Sequence, residues 1–251
     1  MSDSPEVVVH RDTEVMAHAT AARLLTALAD AQAARGTASV VLTGGRNGNA
    51  LLAALAASPA RDAVDWSALD LWWGDERYLP DGDPDRNATQ AQEALLGKVG
   101  TDPARVHPMP CSDGAFGADV AAAAAWYARE LAAAAGPGAP HGTPVFDVLL
   151  LGVGPDTHVA SLFPGHAGFA ARDTSTVAVT SAPKPPPTRV SLTVPAIRSA
   201  RQVWLLAAGE DKADAVARAL AAQADGDVPA AAARGRERTL WLLDRSAAGT
   251  A

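Results

Sequence analysis

The chain has 251 residues, of which 48% are hydrophobic and 20% charged, and its formal net charge is -7 at pH 7. This length and composition exclude a chain that is disordered throughout and allow a sizeable core. The negative charge is spread along the sequence without a basic cluster, which argues against a nucleic-acid partner.

The N-terminus lacks the pattern of a signal peptide, and no apolar run is long enough to span a membrane. We therefore expect a cytoplasmic protein without a membrane partner. The single cysteine, Cys111, excludes an internal disulfide, and the six histidines have no cysteine partners at zinc-site spacing. No metal site is predicted.

Apolar strands alternate with helices along the chain. The predicted strands are 7–9, 39–43, 69–73, 106–109, 147–151, 176–180, 189–194, 203–207 and 239–243. The predicted helices are 13–35, 49–57, 88–96, 116–135 and 209–222, with 136–144 as a connector. Asp12 or Thr13 is the expected cap of the first helix, Gly36 its end, and Asn87 or Thr89 the expected cap of the third. The alternation, with no repeat or long linker, predicts one α/β domain over 1–251, built on a doubly wound, mostly parallel sheet.

A glycine-rich turn follows the second predicted strand, where Thr43, Gly44 and Gly45 precede a helix. Strand, glycine turn and helix in that order leave backbone N–H groups at a helix N-terminus, which is a natural anion site. A tight turn that merely needs glycine explains the same residues equally well.

Charged residues follow the third predicted strand, where Asp75, Glu76 and Arg77 stand together. The ordinary explanation of such a run is a solvated corner. The preceding pair, Trp72 and Trp73, favours a partly shielded position for Asp75 and Arg77 instead.

The strand at 147–151 is continuously apolar, as expected for a strand buried on both faces of a parallel sheet, and it runs into a polar turn. Gly152 and Gly154 suggest a dinucleotide fingerprint, but its third glycine is absent, so no nicotinamide cofactor is predicted. Asp156 and His158 suit general acid–base chemistry better, because a neighbouring carboxylate can orient an imidazole. A single loop histidine is nevertheless more often structural than catalytic.

A proline-rich loop carries Lys184, and Arg189 begins the strand that follows. A lysine on a rigid connector is more often solvated than functional. Because ligands bind at strand ends in α/β sheets, Arg77, Lys184, Arg189 and the glycine turn are predicted to form a phosphate pocket.

Five ordered segments add a family resemblance: TGG at 43–45, WGDER at 73–77, DPDRN at 83–87, LGVGPDTHVASLFP at 151–164 and PKPPPTR at 183–189. Together they resemble the motifs of the 6-phosphogluconolactonase family, in the glucosamine/galactosamine-6-phosphate isomerase superfamily, over nearly the whole chain. The resemblance implies a three-layer α/β fold like that of ribose-5-phosphate isomerase. It also implies hydrolysis of 6-phospho-D-glucono-1,5-lactone in the oxidative pentose phosphate pathway, without a cofactor.

The resemblance also implies roles for individual residues. His158 would be the general base, Asp156 would orient or tune it, Gly44 and Gly45 would offer backbone N–H groups, Arg77, Lys184 and Arg189 would supply positive charge, and Asp75 would belong to the substrate site. The partner is then a small phosphorylated sugar lactone, while the oligomeric state is not predicted.

Two positions depart from the family pattern. Thr157 stands where glycine is common, and a positive φ there would be costly for a β-branched residue. Arg46, Asn47 and Gly48 replace a frequent serine–threonine–proline sequence. Two alternatives stay open: an amino-sugar phosphate deaminase or isomerase, since glucosamine-6-phosphate deaminases share a similar histidine turn, and a non-catalytic sugar-phosphate sensor.

Overall fold

A computed structural model describes residues 4–136, 139–224 and 226–249. In these ranges the strands are β1 Glu6–His10, β2 Ala38–Leu42, β3 Leu69–Trp73, β4 Asp75–Arg77, β5 Val148–Gly152, β6 Thr176–Val179, β7 Arg189–Leu192, β8 Gln202–Ala207 and β9 Arg238–Asp244. The α-helices are α1 Thr13–Arg35, α2 Gly45–Ala57, α3 Asn87–Ala94, α4 Val120–Ala134, α5 Ala167–Ala170, α6 Val194–Ile197, α7 Ala213–Ala221 and α8 Pro229–Ala232. None of the helices in the described ranges combines the length and apolar character needed to cross a bilayer.

Six strands form a parallel sheet in the order β1-β9-β8-β5-β2-β3. β5 lies between β8 and β2, in register Leu150 with Trp204 and Val40 with Val148. Helices cover both faces, which confirms the predicted doubly wound, mostly parallel α/β architecture. Chain order reverses between β2 and β5, and α/β sheets bind ligands outside the carboxyl ends of strands at such a point.

The core explains why β5 carries no polar side chain in its middle. Leu149 and Leu151, on one face, and Leu150, on the other, are each at most 1% exposed. Burial of each leucine side chain contributes roughly 1.5–3 kcal/mol. The strand is therefore a rigid base for the polar turn that follows it.

The caps of α1 agree with the sequence. Asp12 is the N-cap and accepts a hydrogen bond from the Val15 N–H at 2.8 Å, and Gly36, with φ of 79°, ends the helix.

A second sheet, antiparallel in the order β4-β7-β6, was not predicted as a separate unit. β4 places Asp75 opposite Ser191 and Arg77 opposite Arg189. Pairing with β7 buries Asp75 and Glu76. The explanation of this charge run as a solvated corner is therefore wrong.

Three predicted element boundaries are corrected. α2 begins at Gly45, not at 49, because Gly48 lets the first helical turn approach Thr43, whose carbonyl oxygen would lie 2.2 Å from an added Cβ. Residues 106–109 make a single bridge, from Val106 to Leu71, rather than a strand. α4 begins at Val120 instead of 116.

The predicted caps of α3 are also wrong, because Arg86 is its N-cap and Asn87 is its first residue. The carboxylate of Glu76 accepts hydrogen bonds from the backbone N–H groups of Asn87 and Ala88, at 2.7 and 2.8 Å. The N-terminus of α3 is therefore capped by a side chain of β4 and not by a residue next to the helix. The connector at 136–144 lies partly outside the described residues.

Candidate active site

The loops after β2, β3 and β5 meet with the proline-rich loop before β7 around a cavity of about 380 Å³. Seven of the eight predicted site residues line it: Gly44, Gly45, Asp75, Arg77, His158, Lys184 and Arg189. The eighth, Asp156, contacts His158. The Gly152 N–H donates to Thr43 Oγ1 at 3.2 Å, so the loops after β5 and β2 are joined directly.

The histidine turn depends on Gly154. Its N–H donates to the His158 carbonyl at 2.9 Å, and a Cβ on Gly154 would lie 2.0 Å from His158 Nδ1. The imidazole packs against the Phe163 ring with centroids 4.6 Å apart. Glycine at 154 is therefore required for this ring position.

Asp156 fixes the protonation pattern of His158. Its Oδ1 lies 2.5 Å from His158 Nδ1. A carboxylate accepts hydrogen bonds, so Nδ1 carries the proton and Nε2 retains its lone pair. An imidazole in this state can take a proton from water.

Burial lowers the pKa of His158 below its ordinary value, and the hydrogen bond that its Nδ1 donates to Asp156 offsets part of that effect. Burial by itself would raise the pKa of Asp156, but the hydrogen bond from His158 and the charges of His158 and Lys184 lower it. Near neutral pH the pair is thus a neutral imidazole beside a carboxylate, which is the state that a general base needs.

Thr157 has φ of 75°, in the left-handed region, and its side chain is fully buried. Its Oγ1 has no hydrogen-bond partner among the described residues. Its carbonyl accepts from the Ala230 N–H at 3.0 Å. The strain expected for threonine at this position is therefore present, and a contact to α8 holds the turn in it.

The glycine turn presents a helix N-terminus to the cavity. Gly44 is the N-cap of α2 without a side-chain hydrogen bond, and Gly45 has φ of 75°. A Cβ on Gly44 would lie 1.9 Å from Asn87 Oδ1, so only glycine fits between α3 and the cavity. The free N–H groups of such a turn are suited to an anion.

Asp75 is 7% exposed and is held from three sides. Ser161 Oγ donates to its Oδ2 at 2.6 Å, Asn87 Nδ2 donates to its backbone carbonyl at 2.8 Å, and Arg189 Nη1 lies 3.9 Å from Oδ2. These contacts connect the loops after β3 and β5 to β7.

Arg189 is 5% exposed and acts mainly within the protein. Its Nε donates to the Pro186 carbonyl at 3.0 Å, and its Nη2 donates to the carbonyls of Lys184 and Pro185 at 3.1 Å. The arginine therefore shapes the proline-rich loop. Lys184 Nζ, by contrast, reaches the cavity 3.7 Å from Asp156 Oδ1, and burial lowers the pKa of its amine.

Sequence reasoning did not name Asn87, Asp211 or Lys212 as site residues, although all three line the cavity. Lys212 and Asp211 follow β8, and the signal was available because a strand, Gly209 and a helix repeat the pattern of the glycine turn. Arg46 and Asn47, which stand where the family often has serine and threonine, both line the cavity, and Arg46 donates to the Ala208 carbonyl at 2.8 Å.

Charge around the cavity has the opposite sign to that of the chain. The charged lining residues among those described are Arg46, Arg77, Lys184, Arg189, Lys212, Asp75 and Asp211. Five cations against two carboxylates focus positive potential there, although the whole chain carries -7. The site is therefore suited to a phosphorylated ligand.

In the described part of the chain, no group of three or more histidine, cysteine, aspartate or glutamate side chains is placed to hold a metal ion. Aspartate and histidine instead form the pair described above.

Comparison with known proteins gives a consistent result. Residues 11–241 match the family described as glucosamine-6-phosphate isomerases/6-phosphogluconolactonase. A 6-phosphogluconolactonase of Streptomyces coelicolor is 68% identical over 99% of this chain and 95% of its own length. One from Mycobacterium tuberculosis is 49% identical over 98% of both chains. The solved structure of a Trypanosoma brucei 6-phosphogluconolactonase superposes with a TM-score of 0.83 and 29% identity over 99% of both chains.

Proposed function

The chain belongs to the family of glucosamine-6-phosphate isomerases and 6-phosphogluconolactonases. We propose that the cavity at the carboxyl ends of β2, β3 and β5 is its active site and that the reaction there is lactone hydrolysis. The protein is a hydrolase that converts 6-phospho-D-glucono-1,5-lactone to 6-phospho-D-gluconate in the oxidative pentose phosphate pathway. The observation that carries the assignment of the site is the oriented His158–Asp156 pair, which shares one cavity with the N-terminus of α2 and a cationic rim.

The first chemical step is attack of water on the lactone carbonyl. His158 Nε2 takes one proton from that water as its hydroxide adds to the carbonyl carbon. Asp156 holds the imidazole's own proton on Nδ1 and stabilises the imidazolium that forms. A positioned base of this kind contributes roughly 10²–10⁴-fold to the rate.

The oxygen of the carbonyl becomes an oxyanion in this step. The backbone N–H groups of Gly44 and Gly45 are suited to stabilise it, and one such donor contributes about 10²–10³-fold. The imidazolium of His158 then returns its proton to the ring oxygen as the C–O bond breaks, so the base is regenerated.

The substrate phosphate needs positive charge away from the base. Burial lowers the pKa of Lys184, and the positive charge of Lys212 on the same cavity wall lowers it further. A phosphate between them would relieve that repulsion. Arg77 adds charge from β4, and it is anchored by a hydrogen bond from its Nη1 to the Asp85 carbonyl.

The test is hydrolysis of freshly generated lactone, measured above the spontaneous rate, by wild type and His158→Ala. We expect a loss of about 10²–10⁴-fold in kcat/KM. His18→Ala, an exposed histidine on α1, is the matched control and should keep full activity. Equal hydrolysis by wild type and His158→Ala would show that His158 is not the base.

A second substrate separates the phosphate role from the chemistry. Lys184→Ala should raise KM for the phosphorylated lactone, whereas kcat/KM for unphosphorylated glucono-1,5-lactone should change much less, because that substrate has no phosphate to bind. An equal effect on both lactones would contradict a phosphate contact. We expect no ammonia release from glucosamine 6-phosphate, and a cytoplasmic location stays a prediction.

A further inference from the structure

A second cavity, of about 770 Å³, lies between α3, the segment 106–116 and α4. It shares no lining residue with the cavity of about 380 Å³ that contains His158, which is called the reaction cavity below. Its wall is mainly apolar and aromatic, with Trp73, Leu96, Met109, Phe116 and Trp126. The rings of Phe116 and Trp126 are 6.0 Å apart and both are half-buried. Concave, mostly apolar cavities with a few polar groups are typical of small-molecule sites.

Two donors in this wall lack acceptors. Trp73 Nε1 and Arg86 Nε have no hydrogen-bond partner among the described residues, and the two residues are 1% and 2% exposed. The other nitrogens of Arg86 are occupied, because Nη1 and Nη2 donate to backbone carbonyls, the Met109 carbonyl at 2.7 Å among them. Leaving a buried donor unpaired is costly, but each of these nitrogens has less than 1 Å² of accessible surface. A ligand that carries an acceptor therefore gains by pairing with them only once the indole and the guanidinium turn toward the cavity.

The charges around the cavity favour an uncharged ligand. Glu76 Oε2 lies 3.8 Å from Arg86 Nη2 and compensates the one cation in the wall. Asp81 and Glu93, the other charged lining residues, are exposed at the rim. An anion would have to pass two carboxylates to reach an arginine that already has a counter-charge.

One segment separates this cavity from the reaction cavity. Arg86 lines the second cavity and Asn87 lines the reaction cavity, although the two residues are adjacent in the chain. Just before them, the Asp85 carbonyl accepts the hydrogen bond that anchors Arg77. A ligand that displaces Arg86 would therefore also displace residues 85 and 87, which position Arg77 and Asn87 in the reaction cavity.

We propose that this second cavity is a binding site for an uncharged aromatic small molecule with a carbonyl acceptor, whose entry turns the Trp73 and Arg86 donors toward the cavity so that they pair with it. Its occupancy shifts the segment 85–87 and changes capture of the lactone. The binding measurement below does not depend on the lactonase activity, so the two assignments fail separately.

The probe is the neutral fluorophore 6-propionyl-2-dimethylaminonaphthalene, an aromatic ketone whose emission shifts to the blue in an apolar site. With the full-length protein we expect saturable binding. Thr89→Trp, which fills the cavity from α3, should abolish it, and Ala125→Trp, at an exposed position of α4 outside the cavity, should not. Ala115→Trp at the exposed rim replaces Thr89→Trp if circular dichroism shows that the latter is unfolded.

Trp73→Phe keeps an aromatic ring but removes one donor, so its affinity should fall about 2- to 10-fold. Saturating probe should change KM for the lactone about fivefold in wild type and leave KM of Thr89→Trp unchanged. Absence of saturable binding, or equal binding by wild type and the cavity-filling variant, overturns the site. Binding without any change in KM overturns the coupling.

Discussion

Replacing Asp156 by asparagine removes the charge beside His158 with little change in shape. The Nδ1–Oδ1 distance of 2.5 Å puts the carboxylate in direct contact with the imidazolium that forms during proton transfer. At a separation of about 4 Å, opposite unit charges attract by about 1 kcal/mol in water and by about 4 kcal/mol near a protein surface. The side chain of Asp156 is 36% exposed, so the loss should lie inside these limits.

That range corresponds to a fall in kcat/KM of about 5- to 1000-fold. A second effect is expected in the pH profile, because Asp156 raises the pKa of His158 against the effect of burial. Without the carboxylate the pKa of His158 falls further, so the acid limb of kcat/KM moves to lower pH while the plateau drops. A residue with only a structural role would lower the plateau without moving the limb.

The assay is hydrolysis of freshly generated lactone between pH 4.5 and 8, with the spontaneous rate subtracted at each of these pH values, which span about two units on either side of the ordinary histidine pKa. Asp211→Asn makes the same charge change in the same cavity without a contact to His158, and it should stay within about threefold of wild type, as expected for a side chain that is 58% exposed. The reasoning is refuted if Asp156→Asn keeps wild-type kcat/KM and an unmoved acid limb, or if Asp211→Asn loses as much.

Four further outcomes follow from the geometry. In wild type, kcat/KM should be level above a pKa lower than 6.5 and fall about tenfold per pH unit below it, since only neutral His158 accepts a proton; a limb at higher pH would contradict the burial effect. Thr157→Gly should raise the free energy of unfolding by about 1 kcal/mol in denaturant titrations, because relief of about 1–2 kcal/mol of left-handed strain and loss of an unpaired hydroxyl exceed the entropy cost of glycine. Gly154→Ala should stay folded but lose about 10²-fold or more in kcat/KM, because its Cβ would displace His158, whereas Gly100→Ala, with open space around it, should be silent. Glu76→Ala should destabilise the fold by about 3–5 kcal/mol, because Arg86 would lose its buried counter-charge; an effect no larger than that of an exposed glutamate substitution would contradict this.

The sequence predicted the parallel sheet because its strands are apolar runs whose burial does not depend on distant partners. It also predicted the histidine turn, since Gly152 and Gly154 restrict the backbone locally. It failed where the partner is remote. The cap of α3 comes from Glu76 on β4, and no local spacing indicates that contact. The contacts of Arg189 were missed for another reason, because its partners are nearby backbone carbonyls of residues 184–186, and residue types alone do not show that the loop turns these carbonyls toward the guanidinium.

The charge run at 75–77 shows why local explanations were insufficient. In a β-strand successive side chains point to opposite faces. Asp75 and Arg77 accordingly line the reaction cavity, while Glu76 points away from it and lies 3.8 Å from Arg86. The same three residues thus line the cavity on one face and form a buried ion pair on the other. A solvated corner would tolerate exchange of Asp75 and Glu76. In this strand the exchange would place the longer carboxylate against Ser161 and leave Arg86 facing a carboxylate one methylene shorter than the present partner, which lies 3.8 Å away.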